Sequence, residues 1–250
     1  MKEKSVVTPK QLLDGRGLDK GNYFSNAIIS FRNHAFSKSI AEKLDMEIFK
    51  RKLLTNFNPE TSPASVYVKD NLIGVTQVLW GGPQIAIILE ELEYLGVKNV
   101  IGIGASGSLK KTTLGSLFVA ESGLCSDGTS KDYTDKEQVH ADKDLLRIAK
   151  KVTKDDKDVI FGKVWTTDAM YREFPSKVEL WKNKGASAVN YETSPFYAVA
   201  EEKDMKAIYL ANITDLVIPP WTGWHGNYKA SDEKLQNTCL KILKEIQSKK

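Results

Sequence analysis

A single three-layer α/β/α domain on a central mixed sheet is the fold this sequence predicts. Short, almost wholly apolar runs such as NVIGIG (99–104) suit strands buried on both faces of a sheet. Longer segments such as IAIILEELEYL carry apolar residues at helical spacing. The two kinds alternate along 250 residues, a length that supports one large core.

Residues 1–24 read as a polar arm with glycine at 15, 17 and 21, and residues 25–250 as the domain. NAIISF (26–31) is a buried strand, and AFSKSIAEKL (35–44) follows with helical spacing. SVYVKDNLIGVTQVLW (65–80) reads as two strands around a turn at Asp70-Asn71. In GGPQIAIILEELEYLGV, Pro83 suits a first helical turn and Gly96 a stop. Residues 73–104 thus read strand, helix, strand, a βαβ unit. SLFVAES (116–122), DVIFGKVWTT (158–167) and KAIYLANIT (206–214) are further strands. Helices are expected over 173–185, 192–204 and 231–248, the last capped by Ser231 with acidic residues just inside.

Composition narrows the function classes. A net charge of +4 with scattered lysines is a solvated surface rather than a nucleic-acid footprint. No apolar stretch is long enough to span a bilayer, and the N-terminus has no apolar leader, so a cytoplasmic protein is expected. His34, His140 and His225 lie far apart, and Cys125 and Cys239 lack ligand spacing, so no metal site is expected and the cysteines read as reduced thiols.

In such folds ligands gather at the carboxyl ends of strands. GIGASGSL, WTTDAMYRE and NITDLV fall there, and AVNYETSPFYAVA opens a helix. Gly102, Gly104 and Gly107 allow a sharp bend and close approach to a ligand. The GxGxxG at 102–107 is no dinucleotide fingerprint, because no helix clearly opens there, and the GK[ST] of a P-loop is missing. Asp168 and Asp215 each follow a threonine at a strand end, where a carboxylate is either a helix cap or a general acid. Glu192 is either a first-turn acid favoured by the helix dipole or an acceptor for a diol.

Together these segments resemble the nucleoside phosphorylase and nucleosidase superfamily. GGPQIAIILEELEYLGVKNVIGIGASGSL is similar to that family's GGP…EEL…LG…(R)xG(T/S)xGxL stretch. TTDAMYRE resembles its TTDAxYRE form, GASAVNYETSPFYAVAE its GAxAVxMExxALxxxA helix, and ANITDLV its strand ending in Ser-Asp. The resemblance implies cleavage of the N-glycosidic bond of a nucleoside, with no cofactor and with phosphate or water as co-substrate. It implies Asp215 as the acid at the leaving base, with a lean toward purines, and Glu192 as the grip on the ribose hydroxyls. Tyr191 stands where the family has a methionine under the sugar, and Met170 where an aromatic often stacks on the base. Gly104, Ala105 and Ser106 correspond to the phosphate turn, and Arg172 and Phe174 to the neighbourhood of the base; IPPWTGWHGNY (218–228), with Trp221, reads either as an aromatic lid over the base or as a packed loop. Asp168 and Arg172 are expected to be largely structural, as an ion pair. A homo-oligomer, dimer or hexamer, is expected. The other reading is a non-catalytic nucleoside-binding or storage protein on the same scaffold.

The departures from the family concern phosphate. Its arginine and Ser/Thr at the turn are Gly102 and Ala105 here, and no GDPxR-like loop occurs in residues 1–35. An arginine–phosphate pair is a strong, charge-assisted contact, and its loss favours hydrolysis. Yet the glutamate that activates water in hydrolytic members has no match. Arg32, His34, Lys110 and Arg172 are candidates for a substitute charge. Phe174 and Ser176 replace the residues that read uracil, and Trp80 precedes Gly81-Gly82 as a further unusual neighbour.

Overall fold

The computed structural model describes residues 5–14, 23–49, 54–55, 65–75, 78–223 and 228–248. The chain runs α1 (Pro9–Leu13), β1 (Asn26–Ser30), α2 (His34–Lys43), β2 (Glu47–Ile48), β3 (Val66–Lys69), β4 (Leu72–Val75) and α3 (Gly82–Tyr94). It continues with β5 (Asn99–Ser108), β6 (Leu117–Ser126), α4 (Gly128–Tyr133), β7 (Gln138–His140), α5 (Lys143–Val152) and β8 (Ile160–Thr167). After a short 3-10 turn at Met170–Arg172 come α6 (Pro175–Asn183), β9 (Ala186–Asn190), α7 (Thr193–Glu202), β10 (Lys206–Leu216), β11 (Thr222–Gly223) and α8 (Lys229–Gln247).

The expected three layers are present. Alternate residues of β5 and β10 face opposite sides, as a period of two requires. Val100, Ala207 and Tyr209 join the core under α3 and α7, while Ile101, Ile103, Ile208 and Leu210 join the core under α2, α5 and α8. A third cluster, with Trp165 stacked on Trp181 at 5.8 Å, lies under α6. Both cysteines are free thiols. Among the described residues no helix is long and apolar enough to cross a membrane.

The sheet does more than the sequence predicts. It partly closes on itself: β5 pairs with β10, β10 with β6, β6 with β8, β8 with β9, and β9 with β5 again. The strands β1, β4, β3 and β2 extend from β5 as an open wing. Within the expected βαβ unit, β1 inserts between β4 and β5 and pairs with both in parallel.

Several expectations are corrected. The run at 99–104 does not end in a turn; β5 continues through the glycines to Ser108. The arm is not wholly polar in its setting, since Leu13 is buried and Asp14 accepts a 2.5 Å hydrogen bond from Tyr94 Oη. Ser231 is not the cap of α8, which starts at Lys229, and the Ser231 hydroxyl lies buried without a partner. Gly96 does end α3, and Pro83 does sit in its first turn. The helices α1, α4 and α5 and the strands β2, β7, β9 and β11 are additions; β9 falls inside a segment that reads as the approach to a helix.

Candidate active site

A cavity of about 1070 Å³ opens at the carboxyl ends of β5 and β10, beside the start of α7. It exists because the strands part there. On one edge of β5, β1 pairs with Asn99–Ile103 and β9 with Gly107–Ser108. Between those two ladders, Ala105 and Ser106 face the cavity.

The turn from β9 into α7 carries one end of the site. Asn190 organises it: its Oδ1 accepts from the backbone N–H of Glu192 (3.3 Å) and Thr193 (3.1 Å). Its Nδ2 donates to Thr193 Oγ1 at 2.8 Å and to Ser106 Oγ at 3.3 Å. Glu192, only 3% exposed, accepts at Oε2 from Tyr191 N–H and from Tyr209 Oη, both at 3.2 Å. Burial lifts its carboxyl to about 7, against the pull of those two donors and the Gly81 N–H. Gly81 has φ +104, a left-handed conformation that favours glycine.

The glycines of β5 acquire their role here. A Cβ on Gly104 would lie 1.9 Å from Tyr209 Oη, and one on Gly102 would lie 2.7 Å from the Tyr209 ring. The bare backbone therefore admits a fully buried tyrosine whose hydroxyl reaches Glu192. Gly104 acts from behind and does not line the cavity, and no sharp bend is involved.

Asp215 reaches the other end through a bulge. In the β5–β10 ladder Ile213 faces Ser106 and Asp215 faces Gly107, so Thr214 is the extra residue. Such an insertion re-aims the side chain that follows. A Cβ on Gly107 would lie 3.2 Å from both Asp215 carboxylate oxygens. Thr214 Oγ1 donates to Asp215 Oδ1 at 3.1 Å, and Trp221 Nε1 to Oδ2 at 3.0 Å. Antiparallel pairing of β11 with Asp215–Leu216 folds the Trp221 loop back over the acid.

Tyr191 spans the two ends. Its N–H holds Glu192, while its hydroxyl donates to Glu173 Oε1 at 3.1 Å. Burial lifts the Glu173 carboxyl to about 7; the Tyr191 hydroxyl opposes the shift and the Asp215 charge adds to it. Three acidic side chains thus face one cavity, and Arg32 is the single cation among the described residues that line it.

Of the predicted residues, Asp215, Glu192, Tyr191, Met170, Ala105, Ser106 and Trp221 line the cavity, as does Trp80. Arg172 and Phe174 do not; the guanidinium sits over the Phe174 ring at 4.7 Å, at the surface. Asp168 makes no ion pair with Arg172 and instead accepts from Gly128 N–H at 2.7 Å, at the start of α4, whose cap is Asp127. His34 and Lys110 lie off the cavity among the described residues, and His225 is outside them. Sequence reasoning passed over Glu173 and Asn190. Asn190 carries a local signal, a short amide at a strand end two residues before a helix. Glu173 has only its place at the end of TTDAMYRE.

The profile of the phosphorylase superfamily matches residues 53–248. A protein of Acanthamoeba polyphaga mimivirus is 32% identical over 218 residues, covering 86% of this chain and 84% of its own. The guanosine phosphorylase of Halorubrum lacusprofundi is 28% identical over 155 residues, 61% of this chain and 62% of its own. Purine nucleoside phosphorylase of Toxoplasma gondii, crystallised with immucillin-H, superimposes with a TM-score of 0.76 at 18% identity, over 92% of this chain and 94% of its own. With a match over most of its length and the strand-end acids gathered in one cavity, the chain belongs to the phosphorylase superfamily.

Proposed function

We propose that the chain is an enzyme that cleaves the N-glycosidic bond of a nucleoside, with a purine as the leaving base. The observation that carries this reading is the division of one cavity between two acids, Glu192 and Asp215, with Tyr191 lying between them. Breaking a C–N glycosidic bond leaves positive charge on the sugar and sends an electron pair out with the base. A buried carboxylate at the sugar accepts the 2′ and 3′ hydroxyls and stabilises the developing charge. Asp215 supplies the departing base with a proton or a hydrogen bond, an effect worth about 10²- to 10⁴-fold.

A purine is supported by the size of the cavity and by the resemblance, which sets Asp215 beside a purine N7. Glu173, at the tip of the Tyr191 ring, adds a second polar group at the base end. The guanosine phosphorylase and purine nucleoside phosphorylase among the matched relatives carry purine names, while uridine phosphorylases share the fold. No cofactor is needed for this chemistry. We place the reaction in the cytoplasm, in purine salvage. Trp80, Tyr171 and Trp221 line the cavity yet are 65%, 91% and 64% exposed, which supports a homo-oligomer (dimer or hexamer) in which a second copy covers the mouth. Light scattering of the purified protein checks the assembly; a monomer would remove that part of the proposal.

The test is a panel of purine, pyrimidine and 5′-modified nucleosides, incubated with and without phosphate, with base release followed by chromatography. Release of a purine base supports the proposal. Ligand-induced thermal stabilisation with no release from any compound would make the chain a nucleoside binder instead.

A further inference from the structure

Arg32 is already engaged. Its Nη2 donates to Asp232 Oδ1 at 2.8 Å, and its guanidinium lies over the Phe36 ring at 5.1 Å. The same Asp232 oxygen accepts from Asn212 Nδ2 at 3.0 Å. Asn212 is fully buried and faces Ala105 across the β5–β10 ladder, so the cluster sits against the stretch of β5 that lines the cavity. Three segments converge: the link from β1 to α2, the buried middle of β10, and the first turn of α8. The pair is mostly shielded from solvent, with side chains 13% and 24% exposed, which makes its charge compensation stronger than that of a surface ion pair.

A phosphate dianion entering this cavity would meet Glu173, Glu192 and Asp215, and one cation whose charge another carboxylate has taken. We propose that Asp232 is an internal stand-in for phosphate: its carboxylate occupies Arg32, keeps free phosphate out, and makes water the nucleophile. The choice of nucleophile rests on the reading of the cavity as a nucleoside-cleaving site; the exclusion of phosphate does not. In the resulting reaction the water oxygen bonds to C1′ as the C1′–N bond breaks, and the electron pair departs with the base. One water hydrogen stays on the new C1′ hydroxyl. The other leaves as a proton, matched by the proton that the base nitrogen gains, so the sum is water added across the C–N bond.

The experiment compares wild type with Asp232→Asn, Asp232→Ser and the double variant Arg32→Ala/Asp232→Asn. Each is measured for thermal stabilisation by millimolar inorganic phosphate and for base release with and without it. Wild type is expected to ignore phosphate in both assays. Asp232→Asn or Asp232→Ser is expected to bind phosphate about tenfold or more tightly than wild type, since a charge-assisted guanidinium contact becomes available. The double variant is expected to lose that gain. Stabilisation of wild type by phosphate, phosphate-dependent release by wild type, or no gain in the folded Asp232 variants would each overturn the proposal. Gained phosphate binding without base release from any nucleoside would leave Asp232 in this role and sink the proposed function. Phosphate-independent release by all variants, with no phosphate binding, would do the reverse.

Discussion

The acidic side of the cavity and the Arg32 side are built differently. Along the acidic side, from Glu192 to Asp215, acceptors are held by rigid neighbours: the Asn190 turn, a tyrosine seated on bare glycines, and a β-bulge. On the Arg32 side, the one cation among the described lining residues is met by the chain's own carboxylate. The acidic side is open to a ligand that brings donors. The Arg32 side satisfies itself. A family scaffold can keep its grip on one reactant while its affinity for the other is cancelled by a side chain from a distant helix.

The sharpest way to break this contrast is to remove the acid. Asp215→Asn keeps the shape and the Thr214 contact but cannot deliver a proton. Base release is expected to fall about 10²- to 10⁴-fold, with nucleoside binding retained. A loss confined to KM would mean that Asp215 only binds.

Next is the buried Glu192. Its carboxyl sits near 7 in the fold against an ordinary 4.5. As pH rises through that interval the unfolded chain gives up its proton first and holds fewer than the folded chain. Stability therefore declines from about pH 4.5 to 7 and levels off above, by roughly 3 kcal/mol from this group. Glu192→Gln removes that slope. Urea unfolding of both proteins at pH 5 and 7.5 checks it: the stability of wild type relative to the variant should drop between the two. Parallel pH profiles would show that burial of Glu192 costs the fold nothing.

Gly104→Ala tests how the acidic side is held. The new methyl would land on Tyr209 Oη. The ring is fully buried, so displacement is expected to cost about 1–3 kcal/mol by overpacking and to release Glu192 from its donor. Thermal unfolding together with the KM for the nucleoside reads both effects. A stable variant with unchanged KM would mean that Tyr209 does not position Glu192.

Much of the acidic side was legible because its signals are local. A strand run ends at Asp215, Glu192 opens an apolar helix, and the alternation of apolar runs with helical spacing announced the layers. The role of the glycines was not, because what demands them is Tyr209, on another strand about a hundred residues away in the chain. Small residues look alike whether they make a turn or a floor. The bulge at Thr214 adds one residue of register and changes no residue type. The Arg32 side was hidden for a related reason: Arg32 and Asp232 are 200 residues apart, and a charge in sequence carries no sign of whether it is already matched. Asp232 read as a first-turn acid at a helix start, yet its carboxylate turns to Arg32 and Asn212.

Trp221 offers the mildest test. Its indole N–H donates to Asp215 Oδ2 while most of the ring stays exposed. The ring rests on Gly223, where a Cβ would come within 2.4 Å of it, so the loop is shaped to hold the indole against the acid. A single hydrogen bond to a partly exposed carboxylate is worth about 1 kcal/mol. Trp221→Phe keeps the apolar cover and removes the donor, so kcat is expected to fall about threefold to tenfold with little change in stability. If the indole only shields the mouth, Trp221→Phe will match wild type and Trp221→Ala alone will lose activity. If it aims the carboxylate, Phe and Ala will lose kcat alike. The comparison of the two variants therefore says whether the Asp215 end, like the Arg32 side, depends on a partner supplied by the chain itself.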